Sequence, residues 1–228
     1  MIHPLANFRH YLWRRSLRNT QVSIVSDNCW GGFMSQYCRL PYRSPFVGLF
    51  VPAPDYLRML RALRAYVEGD FRFVTRHDSV YRDRLTHVRG EYPVGILTPV
   101  GGGEPVEVHF LHYASPEEAL AKWRKRAARL DYDNLLVKLA DRDLCTPELI
   151  AEFDALDYPS KVCFTSRPSP YASTVWIATQ CYRRRLYNEW KYCAPFYNFA
   201  KAANALLDRG RSHRCAAEAA ENEVSEKK

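Results

Sequence analysis

Short β-rich runs alternate with amphipathic helical patterns along most of the chain, and this alternation restricts its fold more than any other feature. Helical patterns follow Asp55, Ser115 and Thr146. Strands that alternate with helices are typical of α/β folds with a mostly parallel sheet. We therefore predict a three-layer α/β fold with helices flanking that sheet. The predicted strands are Val22–Ser26, Phe71–Val74, Val94–Thr98, Val106–Leu111, Asn134–Leu139 and Lys161–Thr165.

One pair of strands departs from this parallel arrangement. The runs Val94–Thr98 and Val106–Leu111 flank the glycine sequence 101–103, and a short Gly-rich connection favours an antiparallel hairpin. A phosphate-binding loop is not indicated, because neither a helical pattern nor a Walker lysine follows these glycines. We interpret the glycines as a flexible turn.

The chain of 228 residues has room for one sizeable core. We predict a basic lead-in over residues 1–20, a single α/β domain over 21–208 and a disordered tail over 209–228, since the tail lacks apolar periodicity. No apolar run reaches the roughly 18 residues of a membrane-spanning helix, and the start lacks the apolar core of a secretion signal. Together with seven cysteines that form no CxxC pair, these features predict a cytoplasmic location with reduced thiols.

Basic residues outnumber acidic ones, 33 to 25, giving a net charge of +8. Such an excess favours an anionic partner, either a phosphorylated small molecule or an anionic membrane surface. The alternative is that the arginines cover solvated helix faces. No sequence signature of DNA or RNA recognition accompanies the charge, so we expect no nucleic acid partner.

Polar residues follow several predicted strands, where ligands bind in open α/β sheets. If these strands run in the same direction, the polar clusters meet at one edge of the sheet. The candidates for this site are Asp27, Asn28, Cys29, Gly31 and Gly32 after the first strand, His112 and Tyr113 after the fourth, Asp141, Arg142 and Asp143 after the fifth, and Thr165 and Arg167 at the sixth.

Two of these clusters suggest specific chemistry. Asp141 and Asp143 form a D-x-D pair, which can hold Mg²⁺ or Mn²⁺ against a diphosphate because hard cations prefer oxygen ligands. The alternative is a capping group beside a surface charge pair. Cys29 precedes a predicted helix start, where the helix dipole would stabilise a thiolate nucleophile with His112 as its base. The alternative for Cys29 is a buried, inert thiol.

Several stretches together resemble one bacterial family, domain of unknown function 1919, over roughly residues 14 to 200. Its members are often described as exopolysaccharide biosynthesis proteins, so the resemblance implies an α/β fold and a role in surface-polysaccharide synthesis. It implies no catalytic residues. The stretches that carry the resemblance are Ser26–Gly32, Ser44–Phe50, Val108–Tyr113, Glu118–Ala119, Lys122–Trp123, Asp141–Asp143 and Lys161–Thr165.

The leading hypothesis is a transferase in exopolysaccharide or capsule synthesis that acts on a nucleotide- or lipid-linked sugar at the inner face of the membrane. Asp141 and Asp143 would hold a metal or orient the sugar, His112 would act as acid or base, and Arg167 would contact phosphate. Asp27 and Asn28 would bind sugar hydroxyls, and the other candidates would complete the substrate site.

Two alternatives remain open. One is an acyltransferase or hydrolase that uses Cys29 as nucleophile with His112 as base. The other is a non-catalytic protein that binds a polysaccharide precursor.

Overall fold

Two β-sheets and the helices that cover them make up the described chain, which comprises residues 4–85, 88, 90–183 and 185–210 of a computed structural model. The helices are α1 Pro4–Ser16, α2 Trp30–Cys38, α3 Ala53–Arg61, α4 Leu63–Val67, α5 Pro116–Ala127, α6 Pro147–Ala155 and α7, residues 199–210. The strands are β1 Ser23–Ser26, β2 Asp70–Val74, β3 Val94–Thr98, β4 Val106–His109, β5 Leu135–Ala140, β6 Lys161–Thr165 and β7 Thr174–Trp176.

The larger sheet is parallel and has the strand order β1-β5-β6-β7. One of its two inner strands, β5, is buried along its whole length. Alternate side chains of a strand point to opposite faces, so Leu135, Val137 and Leu139 enter one apolar core while Leu136 and Ala140 enter the other. A sheet buried on both faces between helices confirms the predicted α/β class.

The smaller sheet is antiparallel, with the strand order β2-β3-β4. The predicted hairpin around glycines 101–103 is confirmed, since β3 and β4 pair on either side of them. The expectation that Val106–Leu111 runs parallel to the other site-bearing strands is wrong. The short glycine turn reverses the chain directly, so β4 stays beside β3 in a sheet of its own.

Two apolar cores lie on opposite faces of the parallel sheet. One lies among α3, α4, α5, α6 and the antiparallel sheet, and the other lies among α1, α2 and α7. Gly31 of α2 shows how close this second packing is: a Cβ there would lie 2.8 Å from side-chain atoms of Ile24 and Ser26 on β1. The glycine therefore lets α2 approach the sheet.

The predicted helix starts are confirmed at two caps. The Ser115 hydroxyl accepts a hydrogen bond from the Glu118 N–H (3.3 Å), and the Thr146 hydroxyl accepts one from the Leu149 N–H (3.4 Å). The helix expected after Asp55 is interrupted at Ala62, whose φ of −142° separates α3 from α4.

Helices lie near both ends of the described chain. Residues 1–20 include α1, whose Trp13 is buried and packs near Phe199 of α7. The described residues between β7 and α7 form turns and short 3₁₀ segments. Residues 211–228, most of the predicted tail, lie outside the described residues. Among the described helices, none combines the length and apolar composition that a membrane crossing requires.

Candidate functional site

The carboxyl ends of β1, β5 and β6 meet at one edge of the parallel sheet, where ligands bind in α/β proteins. Cys29 and Asp141 come after two of these strands, and Thr165 ends the third. His112 follows β4 of the other sheet, yet it lines the same cavity as Cys29. The candidate residues at this edge occupy three places: two cavities and a buried charge network.

The first cavity, here called the basic cavity, has a volume of about 290 Å³. This volume is at the lower end of the range for ligand pockets, roughly 300–1,000 Å³, and suits a small ligand or one part of a larger one. It brings together Cys29, His112 and Tyr113 from the predicted set with two cations of α5. Its lining includes Cys29, Gly32, Gln36, Tyr42, Gly48, His112, Tyr113, Lys122 and Arg126.

Arg126 is held in a fixed position in the basic cavity. Its Nη1 donates to the Tyr113 hydroxyl (2.6 Å), which in turn donates to the Val47 carbonyl (2.5 Å), and its guanidinium lies 5.1 Å from the centre of the Tyr42 ring. Among the described residues, the hydrogen bonds of Arg126 all use Nη1. Because a guanidinium carries five N–H donors, the donors on Nε and Nη2 are available to an anionic ligand.

Cys29 and His112 line the same cavity but differ in their exposure to solvent. Burial raises the pKa of the Cys29 thiol to about 11, and its Sγ lies 3.8 Å from the Leu49 carbonyl oxygen, so the thiol stays protonated at neutral pH. His112 is exposed. The His112 backbone N–H donates to the Gly48 carbonyl (3.0 Å), and Gly48 lies so close that a Cβ there would be 3.3 Å from the His112 Cβ. His112 is therefore the accessible proton donor or acceptor of this cavity.

The second cavity, here called the Asp141 cavity, has a volume of about 540 Å³. Asp141 lines it and accepts hydrogen bonds from the backbone N–H (3.2 Å) and the hydroxyl (2.7 Å) of Ser166. Thr165 also lines it, and the buried Oγ1 of Thr165 has no hydrogen-bond partner among the described residues. Arg167 is exposed at its rim. The cavity thus offers a carboxylate and a guanidinium, with the Thr165 hydroxyl buried in its wall.

The two carboxylates of the D-x-D pair lie in different environments. Asp141 faces the Asp141 cavity, whereas Asp143 is buried and accepts a hydrogen bond from Arg142 Nε at 2.7 Å. Over the described part of the chain, no three His, Cys, Asp or Glu side chains are grouped so as to hold a metal ion. The donor set does not fit the Mg²⁺ or Mn²⁺ expected from Asp141 and Asp143, because one of the two carboxylates is turned inward to an arginine.

The buried charge network joins β1, β5 and the segment after β7. Lys138 of β5 donates to Asp27 Oδ1 (2.9 Å), Asn28 Oδ1 (3.1 Å) and Glu189 Oε1 (2.5 Å). Both ion-pair partners and the lysine are almost completely buried. The ammonium group has three N–H donors, so these acceptors satisfy it fully. Asp27 and Asn28, predicted to bind sugar hydroxyls, are thus committed to the interior.

The pKa values of the two carboxylates in this network are shifted in opposite directions. Burial raises the pKa of Asp27 to about 6, despite the opposing attraction of Lys138. Burial also acts to raise the pKa of Glu189, but Lys138 and Arg142 outweigh it and lower that pKa below its usual value. Arg142 Nη1 lies 3.6 Å from Glu189 Oε2. The network therefore fixes the geometry of the sheet edge between the two cavities.

Sequence reasoning missed the residues that organise this region. Lys138 had a readable signal: a lysine within the apolar run of β5 must be paired if the strand is buried. Glu189 lies in an aromatic-rich stretch and had none. Arg126 is one of several basic residues of α5, and nothing in the sequence distinguishes it from the others. Of the two glycines predicted to bind substrate, Gly32 lines the basic cavity, whereas Gly31 packs on β1.

A third cavity, about 630 Å³ and larger than these two, lies elsewhere. Arg64, Trp123 and Tyr132 line it between α4 and α5, next to the residues that precede β5. It is therefore at the amino end of the parallel sheet, and no residue of the predicted site contributes to it. The arrangement of polar groups, rather than volume, favours the basic cavity and the Asp141 cavity as the candidate site.

Comparison with known proteins gives two matches. A Haemophilus influenzae protein described as uncharacterized is 36% identical over 157 residues, which are 69% of this chain and 68% of that protein. The family model named Domain of unknown function (DUF1919) matches residues 5–204, which cover both cavities and the buried charge network. The chain therefore belongs to the family Domain of unknown function (DUF1919).

Proposed function

We propose that this protein is a transferase of surface-polysaccharide synthesis that acts on a phosphate-linked sugar, nucleotide- or lipid-bound, in the basic cavity. One observation carries the proposal. The positioned guanidinium of Arg126 and the exposed imidazole of His112 line one small cavity beside the carboxyl edge of the parallel sheet. Arginine pairs well with phosphate oxygens, and imidazole is the usual proton carrier near neutral pH.

The roles in this proposal follow from the chemistry of glycosyl transfer. A hydroxyl oxygen of the acceptor attacks the anomeric carbon, the bond from that carbon to the phosphate oxygen breaks, and the phosphate leaves with the electron pair. His112 accepts the proton of the attacking hydroxyl. Arg126, with Lys122 nearby, stabilises the negative charge that develops on the departing phosphate. This route uses only groups that line the basic cavity.

The Asp141 cavity is the proposed site of the second substrate. Its Asp141 carboxylate suits the hydroxyl groups of a sugar, which can donate hydrogen bonds to it. Arg167 at the rim suits a phosphate attached to that sugar. The cytoplasmic face of the membrane is the proposed location, because nucleotide- and lipid-linked sugars meet there.

Acyl transfer through Cys29 has less support. The nucleophile in such reactions is the thiolate, and the raised pKa of Cys29 leaves almost none at neutral pH. Arg142 and Lys138 act to lower this pKa, but burial outweighs them, and the sulfur lies 3.8 Å from the backbone carbonyl oxygen of Leu49. A non-catalytic binding protein is the second candidate, because both cavities could hold a ligand without converting it to a product.

Binding is tested by calorimetric titration of the protein with UDP-glucose, glucose 1-phosphate and inorganic phosphate. We expect a phosphorylated ligand to bind the wild type and to bind Arg126→Gln at least about tenfold more weakly, since a charge-assisted pair is lost. Lys122→Gln should also weaken binding, by less, because Lys122 is already paired with Glu118. Lys125→Gln is the matched control, because Lys125 is an exposed cation of the same helix outside the cavity.

Transfer is tested separately with His112→Ala. If the proposal holds, this variant keeps ligand binding but loses product formation from radiolabelled donor. Binding by the wild type without turnover of any donor–acceptor pair would favour the non-catalytic alternative. Equal affinities for wild type, Arg126→Gln and Lys125→Gln would contradict the assignment of the basic cavity.

A further inference from the structure

Helix α1 leaves an apolar stripe uncovered on its outer face. Phe8, Tyr11 and Leu12 are 58%, 42% and 45% exposed, and their spacing of three and four residues puts them side by side on the helix. The inner face is buried, with His10 and Trp13 packed into the domain. We call these three exposed side chains the α1 stripe. Its exposure is unusual for large apolar groups that lie together.

Arginines flank the α1 stripe. Arg9 and Arg15 are exposed, and the guanidinium groups of Arg14 and Arg15 lie 5.6 Å and 5.8 Å from the centre of the Tyr11 ring. Helix α1 contains no Asp or Glu. Apolar side chains between basic ones on a helix are the pattern of helices that lie in the surface of an anionic membrane.

A second exposed segment combines the same residue types. Tyr182, Tyr187 and Tyr192 are 75%, 55% and 44% exposed, and the Arg183 guanidinium lies near the rings of Tyr182 and Tyr187. Residues 182, 183 and 185–192 are here called the tyrosine segment. Tyrosine is enriched where membranes meet water, because its ring is apolar and its hydroxyl polar.

Both features pack on the same face of α2. His10 of α1 stacks on Tyr37 with ring centres 3.9 Å apart, and Trp190 of the tyrosine segment stacks on Phe33 at 4.7 Å. Phe33 and Tyr37 are four residues apart on α2, so their rings are neighbours. The α1 stripe and the tyrosine segment therefore flank one helix face. Phe33 also lines the basic cavity, which opens beside them.

We infer that this surface docks the protein on an anionic lipid bilayer, with the α1 stripe inserted among the headgroups and the arginines on lipid phosphates. A second copy of the chain is a poor occupant, because two arginine-rich faces of a chain with a net charge of +8 repel each other. An anionic bilayer supplies both the apolar layer and the opposite charge. The inference is independent of the transfer reaction proposed above.

Co-sedimentation with lipid vesicles tests this inference with the full chain. We expect the protein to pellet with vesicles of three parts phosphatidylcholine to one part phosphatidylglycerol, and not with pure phosphatidylcholine. Raising the salt from 100 mM to 1 M should release it, because the screening length falls from about 10 Å to about 3 Å. The double variant Phe8→Ser with Leu12→Ser removes the inserted apolar area, so its affinity for the vesicles should fall about tenfold or further.

The control variants distinguish docking through the α1 stripe from non-specific adsorption to the vesicles. Val80→Ser and Val100→Ser remove large exposed apolar side chains elsewhere, and should leave vesicle binding unchanged. Arg9→Gln with Arg15→Gln should abolish the preference for anionic vesicles, while circular dichroism confirms that the fold is kept. Binding that is equal on both lipid compositions, absent on both, or unaffected by the α1 variants would overturn the inference. The inference would also be overturned if light scattering showed that the wild type forms a stable dimer and that the Phe8→Ser, Leu12→Ser variant is monomeric.

Discussion

Replacing Lys138 with methionine isolates the energetics of the buried charge network. Methionine is close to lysine in length and shape, so the substitution removes the charge while leaving little empty space. The ammonium group contacts Asp27, Asn28 and Glu189 at 2.5–3.1 Å, and its side chain is completely buried. After the change, Glu189 keeps its charge and its hydrogen bond from Asn28 Nδ2 (2.7 Å) inside the protein, and Arg142 is the cation left beside it among the described residues.

The expected cost follows from that uncompensated charge. Removing one partner of a buried ion pair typically lowers the free energy of unfolding by about 3–5 kcal/mol. A domain of this kind is stable by roughly 5–15 kcal/mol, so the variant should lose a large fraction of its stability. Adding Glu189→Gln should restore part of the loss, because it removes the carboxylate that the lysine had compensated.

Urea denaturation followed by tryptophan fluorescence measures these differences at pH 7. Lys125→Met serves as the control, since Lys125 is exposed and its loss should cost less than about 0.5 kcal/mol. A Lys138→Met variant as stable as this control would refute the reasoning. A Glu189→Gln addition that lowers stability further would also refute it, because the loss would then come from packing rather than charge.

Three further predictions concern Cys29, Asp27 and Gly31. Cys29, whose thiol pKa is raised to about 11, should react with iodoacetamide at pH 7 far more slowly than exposed Cys181, because about one thiol in ten thousand is ionised; peptide mass mapping would expose a faster Cys29. Asp27 has a folded pKa of about 6, above the unfolded value of 3.8, so its contribution to stability is complete below pH 3.8 and is lost as the pH rises through 6. Stability measured from pH 4 to pH 8 should therefore fall by up to about 3 kcal/mol more for the wild type than for Asp27→Asn, and parallel curves would contradict the assignment. Gly31→Ala should cost about 1–3 kcal/mol in chemical denaturation, since its Cβ would lie 2.8 Å from β1 side chains, whereas Gly210→Ala, with open space around it, should cost nothing.

Local sequence patterns determined much of the fold. The strand–helix alternation predicted the α/β class, and the caps at Ser115 and Thr146 predicted where α5 and α6 begin. The glycines at 101–103 predicted the hairpin. These features depend on neighbours within a few residues, so the sequence displays them directly. The resemblance to the family could likewise be seen from short motifs, and the match over residues 5–204 confirms it.

Partner choice over long separations decided the rest. The sequence placed Asp27, Asn28 and both aspartates of the D-x-D pair at the end of strands, but it could not show which of them would turn inward. Burial of Lys138 requires carboxylates within reach, and the fold supplies them from residues 111 and 51 positions away. Asp27 is thereby committed to the interior, while Asp141 stays on a cavity wall.

The basic cavity shows the same division. The sequence by itself marked Cys29 and His112 as neighbours of a sheet edge and gave α5 its basic residues. Only the tertiary structure joined them, because the two residues follow strands of different sheets and Arg126 of α5, bonded to Tyr113, lines the same cavity. Periodicity specifies which face of each element is buried, but the pairing of buried polar groups depends on distances that exist only after the elements have packed.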